Sequence, residues 1–279
     1  MAHRRGPWCT GRSAALMVGT RRVDFSGNAA IYDQRHGAAV DENGLRRICE
    51  AARLAVGSSV LDIGAGTGRV AIPLSDLGYA VVALEPAVGM LEKLRVKAGG
   101  RQIRLHQAAG TRLPVETGSV DAAVVARLLY LTPDWRQILD EVHRALKPDG
   151  VLLHEWGNGT FDEPWVQIRE KARTLFEGEG MFSPFHPGAR EESDIDKHLV
   201  AVGFHLEARL AVGSGPVVAL REFLRRLMDG ELSYIWDVPN EIRAKCLPLL
   251  QLWAEESLDL DRVVPVPKQI EWAIYRVSK

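Results

Sequence analysis

The chain has 279 residues, of which 46% are hydrophobic and 25% are charged. This composition excludes a disordered, collagen-like or coiled-coil protein, and the length accommodates one large domain or a core domain with a lid. The 35 basic and 36 acidic residues leave a net charge of −1, so the basic field that is typical of nucleic-acid binding is missing. We expect a globular protein that binds small molecules and no nucleic acid.

The N-terminal 22 residues differ from the rest of the chain. Residues 1–22 contain five arginines and no acidic residue, which predicts a disordered basic tail. The apolar run at 14–18 is too short for a secretory signal, and no later stretch is long enough for a membrane span. Cys9, Cys49 and Cys246 form no CxxC or zinc pattern, and the histidines show no metal spacing. These features predict a cytoplasmic protein without a metal ion or membrane association.

From residue 60 onward, apolar strands alternate with helices. Strands are predicted over 60–63, 79–84, 103–107, 120–126 and 151–155. Each is apolar enough to be buried on both faces, as parallel strands are. Helices are predicted at 69–77, at 90–98 and after Thr132-Pro133-Asp134, where a hydroxyl, a proline and an acid mark a helix start. The alternation predicts an α/β fold with a doubly wound, mainly parallel sheet, which two later strands extend to seven.

Beyond Trp156 helical segments interrupt this order. Helices are predicted over 161–180, 194–202 and most of 217–260, and strands over 204–212 and 269–277. We interpret 161–190 and 217–262 as inserted helical caps and 23–56 as N-terminal cap helices. The core is then 57–160, completed by 191–216 and 263–279. Helices that cover a sheet in this way predict an enclosed small-molecule site.

A glycine-rich loop follows the first predicted strand. Asp62 precedes Gly64-Ala65-Gly66-Thr67-Gly68, and a helix follows, a context that predicts a nucleotide-like ligand. The dinucleotide pattern GxGxxG would need its third glycine at position 69, where the chain has Arg69, and a P-loop lysine is absent. This spacing favours an adenosine ligand without a pyrophosphate. Glu85, at the end of the next strand, is placed to accept hydrogen bonds from ribose hydroxyls.

These motifs resemble the class I S-adenosylmethionine-dependent methyltransferases, in particular the small-molecule branch similar to the ubiquinone and menaquinone biosynthesis enzymes. The resemblance covers residues 56–156 and rests on the glycine loop together with the runs at 83–86, 112–114, 119–122 and 145–150. It implies a Rossmann-like fold and S-adenosylmethionine as the cofactor, with Asp62 near its methionine end and Glu85 on its ribose. Gly64, Ala65, Gly66 and Gly68 would pack against it.

Two positions depart from the family pattern. Relatives often carry an acid that contacts the adenine amino group, whereas this chain reads Ala108-Ala109-Gly110-Thr111. Adenine recognition is therefore expected to rest on backbone groups near Gly110 and Thr111 and on packing by Pro86, Ala87 and Met90. After the fourth strand, where relatives often carry histidines, the chain has Arg127-Leu128-Leu129-Tyr130.

The ends of strands four and five supply the candidate catalytic residues. Methyl transfer requires the donor sulfur, the methyl carbon and the acceptor atom in line at about 3 Å, with water excluded. His154 is the predicted base, because a histidine changes charge near neutral pH. Arg127 and Tyr130 are the other candidates, Arg127 also as a partner for an anionic acceptor or for the cofactor. A purely structural, buried His154 is the competing hypothesis.

Three functions stay open at the level of sequence. A methyltransferase acting on a small-molecule acceptor is preferred. A non-catalytic module that binds S-adenosylmethionine or S-adenosylhomocysteine is the alternative from another class, and a nicotinamide-dependent oxidoreductase is disfavoured by Arg69. Tyr32, Asp33 and His36 either cover the bound ligands or form a polar helix surface.

Overall fold

The computed structural model describes residues 25–36, 40–157, 163–181, 187–213, 216–265 and 269–278. The predicted basic tail, residues 1–22, lies outside these ranges. The helices and strands follow in chain order: α1 (Ala29–His36), α2 (Glu42–Ala51), β1 (Ser59–Ile63), α3 (Ala71–Asp76), β2 (Ala80–Leu84), α4 (Val88–Ala98), β3 (Ile103–His106), β4 (Val120–Ala126), α5 (Trp135–Ala145), β5 (Leu146–Glu155), α6 (Glu163–Gly178), α7 (Glu192–Ala201), β6 (Phe204–Gly213), β7 (Val217–Ala219), α8 (Leu220–Met228), a 3-10 turn (Ser233–Ile235), α9 (Asn240–Ser257), β8 (Val263–Pro265) and β9 (Ile270–Val277).

Seven strands form the central sheet in the order β3-β2-β1-β4-β5-β9-β6. The first five strands of the chain are parallel, whereas β9 runs antiparallel to both β5 and β6. This arrangement confirms the predicted α/β fold and its mainly parallel, seven-stranded sheet. The strand order reverses between β1 and β4, which is where open α/β sheets form a ligand crevice.

The two faces of the sheet are buried by different helices. Leu45 and Ile48 of α2 and Leu74 of α3 belong to the apolar cluster on one face, and Trp135 and Leu139 of α5 belong to the cluster on the other. Because successive side chains of a strand point to opposite faces, each buried strand contributes to both clusters. This double burial explains the nearly continuous apolar runs from which the strands were predicted.

A turn at Pro148-Asp149-Gly150 lies inside β5. Val120 of β4 pairs with Leu146, and Ala122 pairs with Val151. The residues between these pairs therefore loop out of the ladder, and Asp149 has a left-handed φ of +63°. The regular part of β5 ends at Glu155, at the edge of the sheet where the glycine loop begins.

Helices α6, α8 and α9 form a cap with an apolar core of its own. Phe176 of α6, Phe223 of α8 and Leu250 of α9 are buried together in it. Most of 217–260 was predicted to be helical, and α8 and α9 lie in this range, but its first three residues, Val217–Ala219, form a strand that pairs antiparallel with Val263–Pro265. Strands this short leave no periodic pattern in a sequence. None of the described helices combines the length and apolar character needed to cross a membrane.

The start of α5 also differs from the prediction. The helix begins at Trp135, and Asp134, not Thr132, occupies the residue before it, with no hydrogen bond from its side chain to the helix backbone. The Thr132 hydroxyl instead accepts a 3.4 Å hydrogen bond from the Asp134 backbone N–H. Residues 131–134 are thus a loop in front of the helix, where they contribute to the cavity described next.

Candidate active site

A cavity lies over the carboxyl ends of β1, β2 and β4, at the reversal of strand order. Its walls come from the loops after these strands, from the loop after β3, and from the N-terminal segment. The lining residues are Phe25, Tyr32, Gly64, Gly66, Glu85, Pro86, Met90, Ala109, Gly110, Thr111, Ala126, Arg127, Leu128, Leu131, Thr132, Pro133, Asp134 and Ile138.

A smaller pocket shares one end of this cavity. Tyr32, Gly64, Gly66, Ala126 and Arg127 line both spaces. The smaller pocket adds five residues at and after the end of β1, namely Asp62, Ala65, Thr67, Arg69 and Val70. Among the residues predicted to bind the cofactor, all except Gly68 and Ala87 line one of the two spaces.

The glycine loop turns sharply at the end of β1. The backbone N–H groups of Gly64 and Ala65 both donate to the Leu84 carbonyl, at 2.8 and 3.0 Å, which ties the loop to the end of β2. Gly64, Gly66 and Gly68 have φ angles of +73°, +55° and +94°. Residues other than glycine rarely adopt this backbone conformation. Gly66 faces the cavity, whereas Gly68 packs underneath the loop against Leu94 and Ile72.

Asp62 carries a buried oxygen that has no hydrogen-bond partner among the described residues. The side chain is 2% exposed, this oxygen is Oδ2, and the residue lines the smaller pocket. Burial raises the pKa of Asp62 to about 7, against the charge of Arg69 and a hydrogen bond from the Ala71 backbone. A buried carboxylate with an unpartnered oxygen is stabilised in its charged form when a cationic group donates a hydrogen bond to it.

Glu85 links the glycine loop to the start of α4. Its two carboxylate oxygens accept hydrogen bonds from the backbone N–H of Gly66, at 2.9 Å, and of Ala87, at 2.8 Å. Burial nevertheless raises the pKa of Glu85. Each carboxylate oxygen can accept a further hydrogen bond, so the side chain can bind a pair of hydroxyl groups in the cavity without giving up its backbone partners.

Two arginines share the carboxylate of Glu155 beside the smaller pocket. Arg69 pairs with one oxygen of Glu155, and Arg127 Nε pairs with the other at 2.6 Å. Burial opposes ionisation of Glu155, but the two guanidinium groups outweigh it and hold the pKa of this carboxyl below its usual value. The two arginines and Glu155 together carry one excess positive charge. Arg127, which lines both spaces, brings this charge to the wall that they share.

His154 lies on the opposite face of β5 from Glu155. It is 1% exposed, lines neither of these two spaces, and neither ring nitrogen has a hydrogen-bond partner among the described residues. Burial lowers the pKa of His154 to about 4, so the ring is neutral at physiological pH. Its catalytic role stays a prediction, which this placement does not support.

Tyr130 is placed beside Trp156 rather than in the wall of either space. The two rings meet edge to face with centroids 5.8 Å apart. Burial raises the pKa of Tyr130 to about 12, so its hydroxyl keeps its proton at neutral pH. Of the three predicted catalytic residues, Arg127 alone lines the two spaces.

The N-terminal segment covers the cavity. Tyr32 approaches Gly66, and Phe25 contacts both Tyr32 and Trp236 of the cap, with ring centroids 5.9 and 5.6 Å apart. Asp33 forms a 2.8 Å ion pair with Lys97 of α4, which holds α1 against the core. Phe25 therefore connects the cavity to the cap. Sequence reasoning missed it because no local motif marks it.

Gly89 is the contact point between this segment and α4. A Cβ atom added at Gly89 would lie 2.3 Å from the Ser26 carbonyl oxygen. Alanine favours the helix itself, so we expect Gly89→Ala to fold normally but to displace the N-terminal segment. For the ligand that the family resemblance implies, tested as S-adenosylhomocysteine, binding should weaken about fivefold to tenfold, equivalent to ~1 kcal/mol. Isothermal titration calorimetry measures the affinity, and limited proteolysis measures the exposure of the segment.

The matched control for this prediction is Gly100→Ala. Gly100 also lies near α4, but no atom is within 4 Å of a Cβ placed there, so this variant should keep both the affinity and the protease resistance of the parent. Equal affinity and proteolysis in the Gly89 variant would show that the segment does not cover the ligand.

The site contains polar groups that the motifs did not predict. Arg69 lies next to the glycine loop in sequence, but its partner Glu155 is distant in the chain, so the ion pair leaves no local signal. Asp134 was predicted only as an acid that marks a helix start, yet it lines the larger cavity. In the described part of the chain, no group of three or more histidine, cysteine or acidic side chains is placed to hold a metal ion.

Comparisons with known proteins agree with this geometry. A family model described as a methyltransferase domain matches residues 61–154. An uncharacterised methyltransferase of Mycobacterium tuberculosis is 38% identical over 111 residues, which is 40% of this chain and 44% of that protein. A demethylmenaquinone methyltransferase of Paenarthrobacter aurescens is 35% identical over 111 residues, which is 39% of this chain and 42% of that protein. The chain thus matches less than half the length of these two relatives.

The fold likeness is more extensive than the sequence likeness. The YcgJ protein of Bacillus subtilis superposes with a TM-score of 0.57 over 86% of this chain and 99% of that chain, at 17% identity. This likeness concerns the fold alone. Residues 61–154 are therefore similar to a methyltransferase domain, and the chain shares its fold with the YcgJ protein.

Proposed function

We propose that this protein transfers a methyl group from S-adenosylmethionine to a small-molecule acceptor. The observation that carries the proposal is the partnerless oxygen of Asp62, buried in a pocket that also contains the glycine loop and opens beside Glu85. This set of groups is complementary to a ligand with an ammonium group at one end and a ribose in the middle.

The chemistry of the residues that line the two spaces suits this cofactor. Asp62 would accept hydrogen bonds from the ammonium group, and Glu85 would accept them from the two ribose hydroxyls. Gly64 and Gly66 allow the ligand to approach the backbone closely. The excess positive charge of Arg69 and Arg127 over Glu155 suits the carboxylate of the methionine moiety. When bound, S-adenosylmethionine supplies a methyl group on a cationic sulfur.

The chain's own contribution to transfer would be positioning and exclusion of water. Tyr32 and Phe25 cover the cavity and are themselves buried or half-buried. Because Phe25 contacts Trp236 of the cap, we expect the acceptor to bind on the side of the cavity that faces the cap. Arg127 is the candidate for contacting an anionic acceptor, and the roles of His154 and Tyr130 stay predictions.

Two measurements separate the competing functions. Calorimetry should show binding of S-adenosylhomocysteine and none of a nicotinamide dinucleotide; the reverse result would support the oxidoreductase. Transfer of a radiolabelled methyl group from S-adenosylmethionine into a metabolite extract should then label a small molecule. Binding without labelling in any extract tested would favour the non-catalytic module.

Replacing Glu85 with glutamine tests the proposed ribose contact. The amide keeps the size of the side chain but loses the charge and one acceptor oxygen, so S-adenosylhomocysteine affinity should fall about 10-fold to 100-fold, as expected for charge-assisted hydrogen bonds. Calorimetry measures the loss.

The matched control for the Glu85 variant is Glu141→Gln. Glu141 also accepts a hydrogen bond from a backbone N–H, that of Leu113 at 2.9 Å, but it does not line the cavity. Its substitution should leave the affinity unchanged. If both variants bind equally well, Glu85 does not hold the ribose.

A further inference from the structure

We propose that Asp134 recognises the 6-amino group of the cofactor's adenine and so makes the site selective for adenine over a 6-oxo purine. The inference rests on the proposed function. It gives Asp134 the role of the acid that relatives often carry in the loop after β3, where this chain has Ala109. It is supported by the layout of the cavity, by the residues around its far end and by the position of Asp134 at the start of α5.

The layout of the two spaces fixes which end receives the base. Asp62 and Arg69 line only the smaller pocket, and Glu85 lines only the larger cavity. A ligand with its ammonium group at Asp62 and its sugar at Glu85 has its base in the remaining part of the larger cavity. Of the other residues that line the larger cavity, we assign Met90, Ala109, Gly110, Thr111, Asp134 and Ile138, which come from α4, the loop after β3 and the start of α5, to this end.

The walls of this end suit a flat, largely apolar ring. Met90 and Ile138 offer apolar side chains. Gly110 is pressed against its surroundings, because a Cβ atom there would lie 2.9 Å from Ile63 and 3.2 Å from Ile138. The loop after β3 therefore contributes the Ala109 methyl, backbone groups and the Thr111 hydroxyl, and none of these is a charged acceptor.

Among the described residues that line the two spaces, the carboxylates are Asp62, Glu85 and Asp134. The first two are assigned to the ammonium group and the ribose, which leaves Asp134 at the base end. An ionised carboxylate only accepts hydrogen bonds. It therefore favours the amino group of adenine and disfavours the carbonyl oxygen of hypoxanthine, where two acceptors would face each other.

The first turn of α5 holds Asp134 against the adenine end. The Ile138 backbone N–H donates to the Asp134 carbonyl at 3.1 Å, so the two side chains share a helix face. Gln137 Nε2 donates to the Thr111 carbonyl at 3.3 Å, which joins this turn to the loop after β3. The Asp134 side chain does not cap its own helix.

The test compares two ligands that differ at the 6-position of the purine: S-adenosylhomocysteine and its deaminated form, S-inosylhomocysteine. Calorimetry of the parent protein should show a preference of at least about tenfold for the adenine ligand. Asp134→Asn should weaken adenine binding about tenfold and strengthen hypoxanthine binding, because the amide NH2 group can donate to the 6-oxygen. Asparagine also precedes helices as readily as aspartate does, so the variant should fold.

Two further variants make the result specific. Ala109→Asp added to Asp134→Asn should restore the preference for adenine, because it supplies a carboxylate from the opposing loop. Asp140→Asn, on α5 but paired with His198 at 2.8 Å and outside the cavity, should change neither affinity.

The possible outcomes are distinct. A structural role for Asp134 would lower both affinities by the same factor, and this result, like unchanged affinities, would overturn the inference. If the parent protein binds neither ligand, the proposed function itself fails, and the inference with it.

Discussion

Replacing Asp62 with asparagine is expected to lower S-adenosylmethionine affinity at least ~100-fold. It should also make the unliganded variant more stable than the unliganded parent at alkaline pH. The loss of affinity follows because the ligand's ammonium group would be buried opposite a neutral amide instead of a carboxylate. The gain in stability follows because the charged Asp62 is buried with one oxygen unpartnered.

The pH dependence gives the sign of this effect. Asp62 has a pKa of about 7 in the folded protein, compared with about 4 in the unfolded chain. Between these values the folded state binds a proton that the unfolded state releases, so this group's contribution to stability is full at low pH and is lost as the pH rises to about 7. The full shift corresponds to about 4 kcal/mol, partly offset in the variant by ~1–3 kcal/mol for a buried, unpaired amide.

Chemical denaturation of the unliganded proteins between about pH 5 and pH 8 measures this difference. The free energy of unfolding of the variant relative to the parent should increase with pH. Binding by the parent should strengthen up to about pH 7, since the ionised carboxylate binds the ammonium group, and this contribution should be absent from the variant.

Asp121→Asn is the matched control for the Asp62 variant. Asp121 lies on β4, outside the cavity, and Lys147 and Ser59 lower its pKa to about 2. Its substitution should reduce stability at neutral pH and leave ligand affinity unchanged. Equal ligand affinity of the Asp62 variant and the parent would show that Asp62 does not bind the ammonium group.

The parts of the site that the sequence predicted are those encoded within a few adjacent residues. Burial on both faces makes parallel strands continuously apolar, and β4 has the predicted bounds of 120–126. Asp62 was singled out because it directly precedes the glycine loop at the end of β1. Glu85 was singled out because it lies at the end of the next strand, where an acid can bind a ribose. Local order along the chain was sufficient for these residues.

The remaining features depend on how distant segments pack. His154 and Glu155 both end β5, but successive strand residues face opposite sides, and only the packing shows that Glu155 faces Arg69 and Arg127. Asp134 belongs to a sequence that indicates a helix start, and its place in the cavity depends on where α5 meets the loop after β3. Neither property is encoded in a local pattern.

Gly68→Ala is expected to destabilise the protein by about 3–5 kcal/mol and to abolish measurable cofactor binding. Gly68 has a φ of +94°, where a side chain costs about 1–2 kcal/mol. Its added Cβ would also lie 2.4 Å from Leu94 Cδ1 and 2.8 Å from Ile72 Cδ1. Both neighbours belong to the packed face of the sheet, so relief requires moving the glycine loop, and Gly66 with it.

Gly57→Ala separates the two costs. Gly57 has nearly the same backbone angle, a φ of +87°, but no atom lies within 4 Å of its Cβ position. This variant should lose only the ~1–2 kcal/mol of backbone strain and should bind S-adenosylhomocysteine as the parent does. Chemical denaturation and calorimetry measure both quantities. If the Gly68 variant loses no more stability than the Gly57 variant and still binds the ligand, close packing beneath the loop is not what holds Gly66 and Glu85 in their binding geometry.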